Sequence, residues 1–380
     1  MSASVSFDST GEKLLNTSHA SNLTGVTVNS TSSAIFDSPS SDSASCLLQP
    51  EATIGPYWVS GEYIREDITE DQQGIPLYIN IQVVDVTSCS VVPDIYWEIW
   101  HCNASGVYSG VIASGNGNVD DTSNLNATFL RGLQPTDADG VATLKTVFPG
   151  HYTGRTTHMH VVAHSNATVY SNGTIGTGAQ GDTTSTTQHI GQLFFDQTLL
   201  DAVAAVAPYS DNTQTVTTNA EDDILAGEAV EGASDPFFEY VYLTDDIADG
   251  IYAWATVGID STASYTTQAA SYLTPEGGVA NANSAMSGGG MGSGGNMTMA
   301  GNGTHDTSMV NSTGDASSND TANGVTSVNS TASSASAVVV AASSSSTATS
   351  SASVSRSLPA LVVRALIAGK QAAVELKGLF

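Results

Sequence analysis

The stretch FPGHYTGRTTHMH, residues 148–160, is the part of this chain that says most about its fold and chemistry. Successive side chains of an extended strand point to opposite faces, so His158 and His160 lie on one face and the methionine between them lies on the other. Two histidines on one face of a rigid strand can hold one metal ion. The Pro-Gly pair before Tyr152 predicts a turn that folds this tyrosine back over the strand, where its phenol reaches the same metal.

Around this stretch the aromatic and β-branched residues gather between residues 46 and 273. Short apolar segments separated by Gly, Asp, Asn and Pro turns predict an all-β fold, a β-sandwich. One helix is predicted at residues 198–206, with its apolar side plugging one end of the sandwich. The predicted strands are residues 78–86, 95–100, 141–148, 158–163, 190–195 and 237–243.

Composition predicts four regions. Residues 1–44 are rich in Ser and Thr and lack apolar periodicity, which favours a disordered leader. Residues 45–275 form the predicted globular domain, the β-sandwich. Residues 276–357 have the Gly/Ser/Thr composition of a glycosylated linker or stalk. Residues 358–380 are apolar but carry three basic residues, too many for a membrane-spanning helix, which leaves an amphipathic helix or a degraded lipid-anchor signal.

The charge and the sequons indicate where the protein works. With 9 Lys and Arg against 37 Asp and Glu, the formal charge of −28 excludes nucleic acid and anionic membranes as partners. Residues 1–11 do not resemble a signal peptide, so we expect a truncated start or unconventional export. The sequon density nevertheless favours a secreted glycoprotein whose tail is a candidate for cell-wall association; the alternative is chance in a chain rich in Asn, Ser and Thr. The sequons begin at Asn16, Asn22, Asn29, Asn103, Asn126, Asn166, Asn172, Asn296, Asn302, Asn311, Asn319 and Asn329.

Three cysteines, Cys46, Cys89 and Cys102, are not spaced like a zinc site. In an oxidising compartment two of them would pair and one would remain. If the segments flanking residues 90–93 form a hairpin, Cys89 and Cys102 lie too far apart to bridge. Cys46 is therefore expected to pair with one of the other two.

A second tyrosine extends the predicted ligand set. In IYWEIWHCNASGVYSG, residues 95–110, Tyr108 lies in a loop flanked by glycines. Two phenolates and two imidazoles suit iron(III) better than zinc or calcium. His101 in the same stretch is interpreted as a strand histidine bonded to backbone, and three further histidines are predicted to be structural or solvent-facing: His151, His164 and His189. A zinc or copper hydrolase built on the His-x-His pair is disfavoured because no carboxylate lies near it in sequence to act as a general base.

Four motifs in the same order resemble the intradiol ring-cleavage dioxygenases, the family of catechol and protocatechuate dioxygenases, and in particular its secreted fungal-type branch. They are EATIGPYWVSGEYIREDI (51–68), EIWHCNASGVYSG (98–110), TDADGVATLKTVFPGHY (136–152) and RTTHMHV (155–161). The resemblance implies a β-sandwich that binds non-haem iron(III) through two tyrosinates, two histidines and a hydroxide. Matched motif by motif, the implied ligands are Tyr108, Tyr152, His158 and His160.

The resemblance also implies an activity, cleavage of a catechol-type ring by O2 between its two hydroxylated carbons to a cis,cis-muconate-type diacid. Tyr152 would then give way to the substrate and take one of its protons. Arg155 would stabilise charge on the activated ring, and Gln192 would support Arg155. Tyr57 would line the substrate pocket, or else simply pack. The competing hypothesis is a non-catalytic carbohydrate- or cell-wall-binding module on a glycosylated stalk.

The chain departs from the catechol and protocatechuate enzymes at two places. Only two residues separate Tyr152 from Arg155, where those enzymes carry a longer loop. The shorter loop should open the mouth of the substrate pocket. The resemblance therefore does not define which catechol is the substrate. The long helical N-terminal region through which catechol dioxygenases dimerise has no counterpart here. A monomer is plausible, and a homodimer stays open.

Overall fold

The computed structural model describes residues 5–37, 39, 46–113, 119–176 and 185–284. The chain divides into two compact units, Met1–Thr304 and His305–Phe380, and every described residue lies in the first. The predicted segment 358–380 and nearly all of the predicted stalk lie outside the described residues. Within the described ranges, no helix is both long and apolar enough to cross a membrane.

Strands dominate the described part of the chain, which confirms a β-rich fold. The twelve strands found there are β1 (Val59–Ser60), β2 (Pro76–Asp85), β3 (Ser90–Val91), β4 (Tyr96–Trp100), β5 (Arg131–Pro135), β6 (Val141–Val147), β7 (His158–Ser165), β8 (Thr186–Phe194), β9 (Glu239–Tyr242), β10 (Ile251–Ile259), β11 (Ser271–Thr274) and β12 (Gly277–Ala280).

The strands form three sheets. The largest has the order β3-β2-β10-β9, with β6 also pairing with β2. The second has the order β5-β4-β7-β8, and all its neighbours are antiparallel. A small third sheet pairs β1 with β11 and β12. Within the largest sheet β10 runs parallel to β2, which requires the long connection that the intervening strands provide.

Side chains from the two larger sheets pack into one apolar cluster, and this packing decides which face of β7 carries the chemistry. Leu77 and Ile79 of β2 contribute to the cluster from one sheet, and Met159 and Val161 of β7 contribute from the other. Since strand side chains alternate, His158 must point away from this core, to the opposite face of the second sheet. A second cluster, which includes Tyr57, Trp58 and Tyr108, covers that face.

All six predicted strands are present, and their bounds differ from the predicted ones by at most four residues. Strand β10 was not predicted, although it lies between β2 and β9 and is buried along nearly its whole length. Its sequence, IYAWATVGI, does not alternate between apolar and polar residues. A strand buried on both faces needs no such alternation and is hard to recognise by period alone.

Four short α-helices occur in the described residues: α1 (Ser9–Leu15), α2 (Ser32–Ile35), α3 (Gln197–Ala204) and α4 (Asp223–Glu228). The predicted helix at 198–206 corresponds to α3, whose Leu199 and Val203 are buried in the main core. Asp196 caps its N-terminus by accepting a hydrogen bond from Leu199 N. The other three helices were not predicted, because four to seven residues are too few for a clear period.

The predicted disordered leader is wrong for residues 5–37. Phe36 is 8 % exposed and packs with Ile35 against Tyr252 and Trp254 on the outer face of the largest sheet. Phe7 of the same segment packs beside Phe194 and Phe237. The few apolar residues of this segment are too widely spaced to give a periodic signal. They are nevertheless buried, because they pack against apolar side chains of the folded domain.

The disulfide links Cys46 to Cys89, and Cys102 is buried as a free thiol. The expectation that Cys46 takes part is therefore confirmed. The assumed hairpin is wrong, since β2 pairs with the two-residue β3 and β4 belongs to the other large sheet. The predicted domain boundary at residue 275 falls between β11 and β12, which pair antiparallel. The globular part thus extends at least to Ala280.

Candidate metal centre

The proposed centre is built on the outer face of β7. His160 lies in register with Trp100 on β4 and with Gln192 on β8. The indole ring of Trp100 stacks on the imidazole of His160, with ring centroids 4.7 Å apart and an angle of 4° between the planes. This stacking fixes the plane of His160 before any ligand binds.

Two tyrosines converge on the two histidines. The Nε2 atoms of His158 and His160 are 3.2 Å apart. The phenol oxygen of Tyr108 lies 3.4 Å from His158 Nε2, and that of Tyr152 lies 3.3 Å from the same atom. The structure thus brings together all four residues predicted as ligands.

The protonation of His158 bears on whether these four atoms fit a metal ion. His158 Nδ1 donates to the carbonyl oxygen of Thr156 at 2.7 Å, so Nε2 carries a lone pair. One lone pair accepts one hydrogen bond, yet three polar atoms crowd around it at 3.2 to 3.4 Å. The buried Nδ1 atom of His160 has no hydrogen-bond partner. Hydrogen bonding alone explains this arrangement poorly, whereas a cation between the four atoms fits it well. The carbonyl bond to His158 is the outer support that metal-binding histidines usually have.

Burial sets the protonation of the donors. It lowers the pKa of both His158 and His160 well below the ordinary value, and the positive charge of Arg155 adds to the effect on each. Both imidazoles are therefore neutral near pH 7 and free to donate. Burial raises the pKa of Tyr108 and of Tyr152, so both phenols keep their protons until a strong cation favours the phenolate.

The two tyrosines come from loops that are tied to each other. The Tyr108 loop follows β4 and the Tyr152 loop follows β6. The side-chain amide of Asn212 donates to Ala104 O in the first loop (3.0 Å) and to His151 O in the second (2.8 Å). Asn212 therefore fixes the spacing of the two phenols, and sequence reasoning did not find it.

Tyr57 forms a wall beside the donors. Its ring stacks on Tyr108 with centroids 4.7 Å apart and meets Tyr152 edge to face at 6.4 Å. Burial raises its pKa to about 12, so it stays a neutral phenol. Tyr57 is 5 % exposed, while Tyr152 is half-buried. The centre is therefore open to solvent on the Tyr152 side.

Arg155 is held beside the centre by two partners. The chain turns at Thr153 and Gly154, with Gly154 at φ 93°. Arg155 Nε donates to Asp222 Oδ2 at 2.8 Å, and Nη2 donates to Gln192 Oε1 at 2.6 Å. The structure therefore places Gln192 against Arg155, as the resemblance implies. Asp222, which is 1 % exposed, was not predicted, because nothing in the sequence marks one carboxylate 67 residues away among 37 acidic residues.

Three other histidines of the described residues are hydrogen-bonded away from the centre. His101 contacts Cys102 O and Thr146 Oγ1, both at 2.8 Å, which agrees with the predicted bond to backbone. It lies one residue beyond β4 and not within the strand. His164 and His189 each contact a glutamate, Glu98 at 2.7 Å and Glu51 at 2.8 Å. In the described ranges no group of three or more His, Cys, Asp or Glu side chains is placed to hold a metal ion, so the centre depends on its tyrosines.

No family model matches the chain, and no curated protein matches it. Several solved structures are similar to the chain. The similar structures are intradiol ring-cleavage dioxygenases.

One of these structures is the intradiol ring-cleavage dioxygenase of Tetranychus urticae, with 27 % identity, a TM-score of 0.46, and 58 % of this chain and 97 % of that chain covered. Another is the catechol 1,2-dioxygenase of Acinetobacter sp. ADP1, with 17 % identity, a TM-score of 0.36, and coverage of 59 % and 68 %. A third is the dioxygenase domain of a dioxygenase carbohydrate-binding protein fusion from Streptomyces sp. SirexAA-E, with 20 % identity, a TM-score of 0.35, and coverage of 56 % and 98 %. The four sequence motifs resemble this same family of intradiol ring-cleavage dioxygenases.

Proposed function

We propose that this protein is a non-haem iron(III) intradiol dioxygenase, which cleaves a catechol-type ring with O2 between the two hydroxylated carbons to give a cis,cis-muconate-type diacid. The observation that carries the proposal is the convergence of Tyr108, Tyr152, His158 and His160 on one point. We also propose that the two larger sheets are the layers of a β-sandwich of the intradiol type, because their facing side chains share one core.

Each donor has a distinct task in this proposal. Iron(III), when bound, would supply a Lewis acid that holds both catechol oxygens and makes the ring reactive toward O2. Tyr152 is the more accessible phenol, and its oxygen is the one placed to accept a proton from an incoming catechol hydroxyl. Tyr108 is fully buried and stays in place. The fixed guanidinium of Arg155 stabilises negative charge that develops on the ring, and Tyr57 bounds the ring on one side.

The competing functions find no support in this geometry. A carbohydrate-binding module would not need two phenols and two imidazoles buried around one point. A zinc or copper hydrolase would need a carboxylate free to act as general base, but Asp222, which reaches this region through Arg155, is engaged by the guanidinium.

The proposal is tested by purifying the protein, measuring its iron content and visible spectrum, and following O2 uptake and ring opening with catechol. Tyrosinate bound to iron(III) absorbs strongly in the visible, so the protein should be coloured. Tyr108→Phe should lose much of that absorption and most of the turnover. Tyr252→Phe is the matched control, since it removes the hydroxyl of another buried tyrosine, on β10 of the other large sheet. A colourless, iron-free protein that binds a polysaccharide would replace this proposal with the binding module.

Secretion, glycosylation, cell-wall association of the tail and a monomeric or homodimeric state are also proposed. The sequon density and the disulfide between Cys46 and Cys89 support an oxidising compartment. Mass spectrometry of the protein from its native source would test for glycans. Asn166 is exposed, whereas the side chain of Asn103 binds Ser105, Val107 and Gln72, so glycans are expected at Asn166 and not at Asn103.

A further inference from the structure

Residues 212–217 lie along the two-residue connection between Tyr152 and Arg155. They belong to the chain between α3 and α4 and form neither helix nor strand. Both residues of the connection, Thr153 and Gly154, are exposed. Exposed backbone with few contacts opens easily. The way in which this connection is held therefore affects the tyrosine and the arginine on either side of it.

Gln214 holds the chain on both sides of Tyr152. Its Oε1 accepts a hydrogen bond from Thr153 N at 3.3 Å, and its backbone carbonyl accepts one from His151 Nε2 at 3.0 Å. Its Nε2 donates to Ser105 O, in the other tyrosine loop, at 2.8 Å. One residue therefore bonds to the chain immediately before and after Tyr152 and joins it to the second loop.

Two threonines of the same segment complete the attachment. Thr217 Oγ1 accepts from Gly154 N at 3.1 Å, and Thr215 N donates to Thr153 Oγ1 at 3.2 Å. The backbone N–H groups of both exposed residues of the connection thus find acceptors in residues 212–217. Breaking these bonds costs free energy, so the connection opens less often than its exposure alone would predict.

The 212–217 segment is itself anchored in the core at both ends. Tyr209, which precedes it, is 3 % exposed and donates to Phe148 O at 2.7 Å. Asn219, which follows it, is 2 % exposed and donates to Phe195 O at 2.9 Å. Because both ends are fixed, the segment can hold the exposed connection in one place.

Gly106 shows how closely the two tyrosine loops and Gln214 pack. It belongs to the same loop as Tyr108, and its φ is 88°. A Cβ added to Gly106 would collide with Nε2 of Gln214 and would lie 2.5 Å from His151 O. Direct contact between the loops and the glutamine at this point therefore requires a glycine.

We propose that Gln214 is a positioning residue for Tyr152. It fixes the backbone on both sides of this tyrosine, so that the phenol leaves the proposed centre and returns to it by rotation of the side chain while the loop stays in place. This inference rests on the proposed function, in which Tyr152 gives way to the substrate. Tyr108 is fully buried and needs no such control.

Gln214→Ala tests the attachment in the iron-free protein. It removes one side-chain bond to each tyrosine loop, so hydrogen–deuterium exchange of the Thr153 and Gly154 amides should become about tenfold faster. Gln268→Ala is the matched control, since it also removes a side-chain bond to a carbonyl oxygen, that of Asn283 at 3.0 Å. The control should leave this exchange unchanged. Unchanged exchange in Gln214→Ala overturns the inference.

The visible absorption of the iron-loaded protein separates a positioning role from a merely structural one. Gln214→Ala keeps all four donors, so iron content should stay at the natural level. Absorption per iron should fall, because Tyr152 spends less time bound, and kcat should fall while KM changes little. Gln214→Glu keeps an acceptor for Thr153 N and should recover part of both losses. A loss of stability alone would not change the absorption per iron.

The natural chain distinguishes this inference from the proposed function. If the natural chain binds iron and is coloured, but Gln214→Ala has the same absorption per iron, Gln214 is not a positioning residue and the proposed function stands. If the natural chain binds no iron and is colourless, both are overturned.

Discussion

Arg155 shows how one side chain is fixed for its task. Asp222 holds the Nε edge of the guanidinium and Gln192 holds Nη2, so the cation is oriented before substrate arrives. Arg155→Ala should keep iron and colour but lower kcat by roughly two to three orders of magnitude, the scale for losing one preorganised charge-stabilising group.

Arg155→Lys should recover only part of that loss, because an ammonium cannot reproduce the planar fork that meets both partners. Stopped-flow turnover of catechol, with iron content measured in parallel, checks both variants. Turnover of Arg155→Ala at the natural rate would make the arginine structural, even with all four ligands confirmed.

Gly55 lies against His160 of the proposed metal centre. A Cβ added to Gly55 would lie 3.0 Å from Cε1 of His160, and its φ is 76°. Gly55→Ala should therefore push His160 away from the other donors and lower iron occupancy. Gly25→Ala is the control. Gly25 has a φ of 78°, so alanine there carries the same backbone strain, but no atom lies within 4 Å of the added Cβ. Both variants should lose about 1 kcal/mol of unfolding free energy. Iron occupancy measured by elemental analysis should fall only for Gly55→Ala, and equal occupancy in the two would remove Gly55 from the site.

At the scale of elements, the N-terminal segment of residues 5–37 behaves as part of the fold. Phe36 packs on the outer face of the largest sheet, so Phe36→Ala should lower the free energy of unfolding by about 3 kcal/mol. The visible spectrum of the folded protein should not change, because the proposed metal centre lies on the outer face of the other large sheet.

Leu23→Ala provides the comparison, because Leu23 is 45 % exposed. This substitution should change the free energy of unfolding by less than about 0.5 kcal/mol. Urea unfolding of the two variants measures the difference. Equal stabilities would show that the segment only rests on the surface. We expect a chain cut to residues 45–275 to be less stable than one of residues 5–284, because the cut removes the packed N-terminal segment and strand β12.

At the scale of the whole molecule, buried carboxyl groups make stability depend on pH. Burial raises the pKa of Glu62 from 4.5 to about 8, and raises the pKa of Glu228 as well. The folded protein holds these protons more tightly than the unfolded chain does. The resulting stabilisation is complete below pH 4.5 and is lost as the pH rises toward 8.

Burial lowers the pKa of His101 from 6.5 to about 4, which has the opposite effect, with stability lost as the pH falls from 6.5 to 4. The range from pH 6.5 to 8 therefore isolates the glutamates. Unfolding free energy should decline across this range, and Glu62→Gln should make the decline shallower. Glu66 is an exposed carboxylate nearby in the chain, and Glu66→Gln should leave the decline unchanged. An identical slope in the Glu62 variant would show that this carboxyl group is ionised throughout.

Much of the site follows from local sequence. The period of two in His-x-His puts both imidazoles on one face, and the turn residues before Tyr152 and around Tyr108 place both phenols on loops. The strands that carry these residues were predicted for the same reason, since alternation is a local property that needs no knowledge of the partner strand.

The rest was decided by contacts between distant parts of the chain. Asp222 meets Arg155 and Asn212 joins the two tyrosine loops only after the sheets have packed. The same holds for the pairing of Cys46 with Cys89, for β10 between β2 and β9, and for the N-terminal segment on the largest sheet. Local sequence is enough to identify the side chains that could bind iron and the strand face on which they lie. The charges around those side chains and the segments that cover the sheets depend on the packed fold, because their energies come from long-range contacts that no local pattern records.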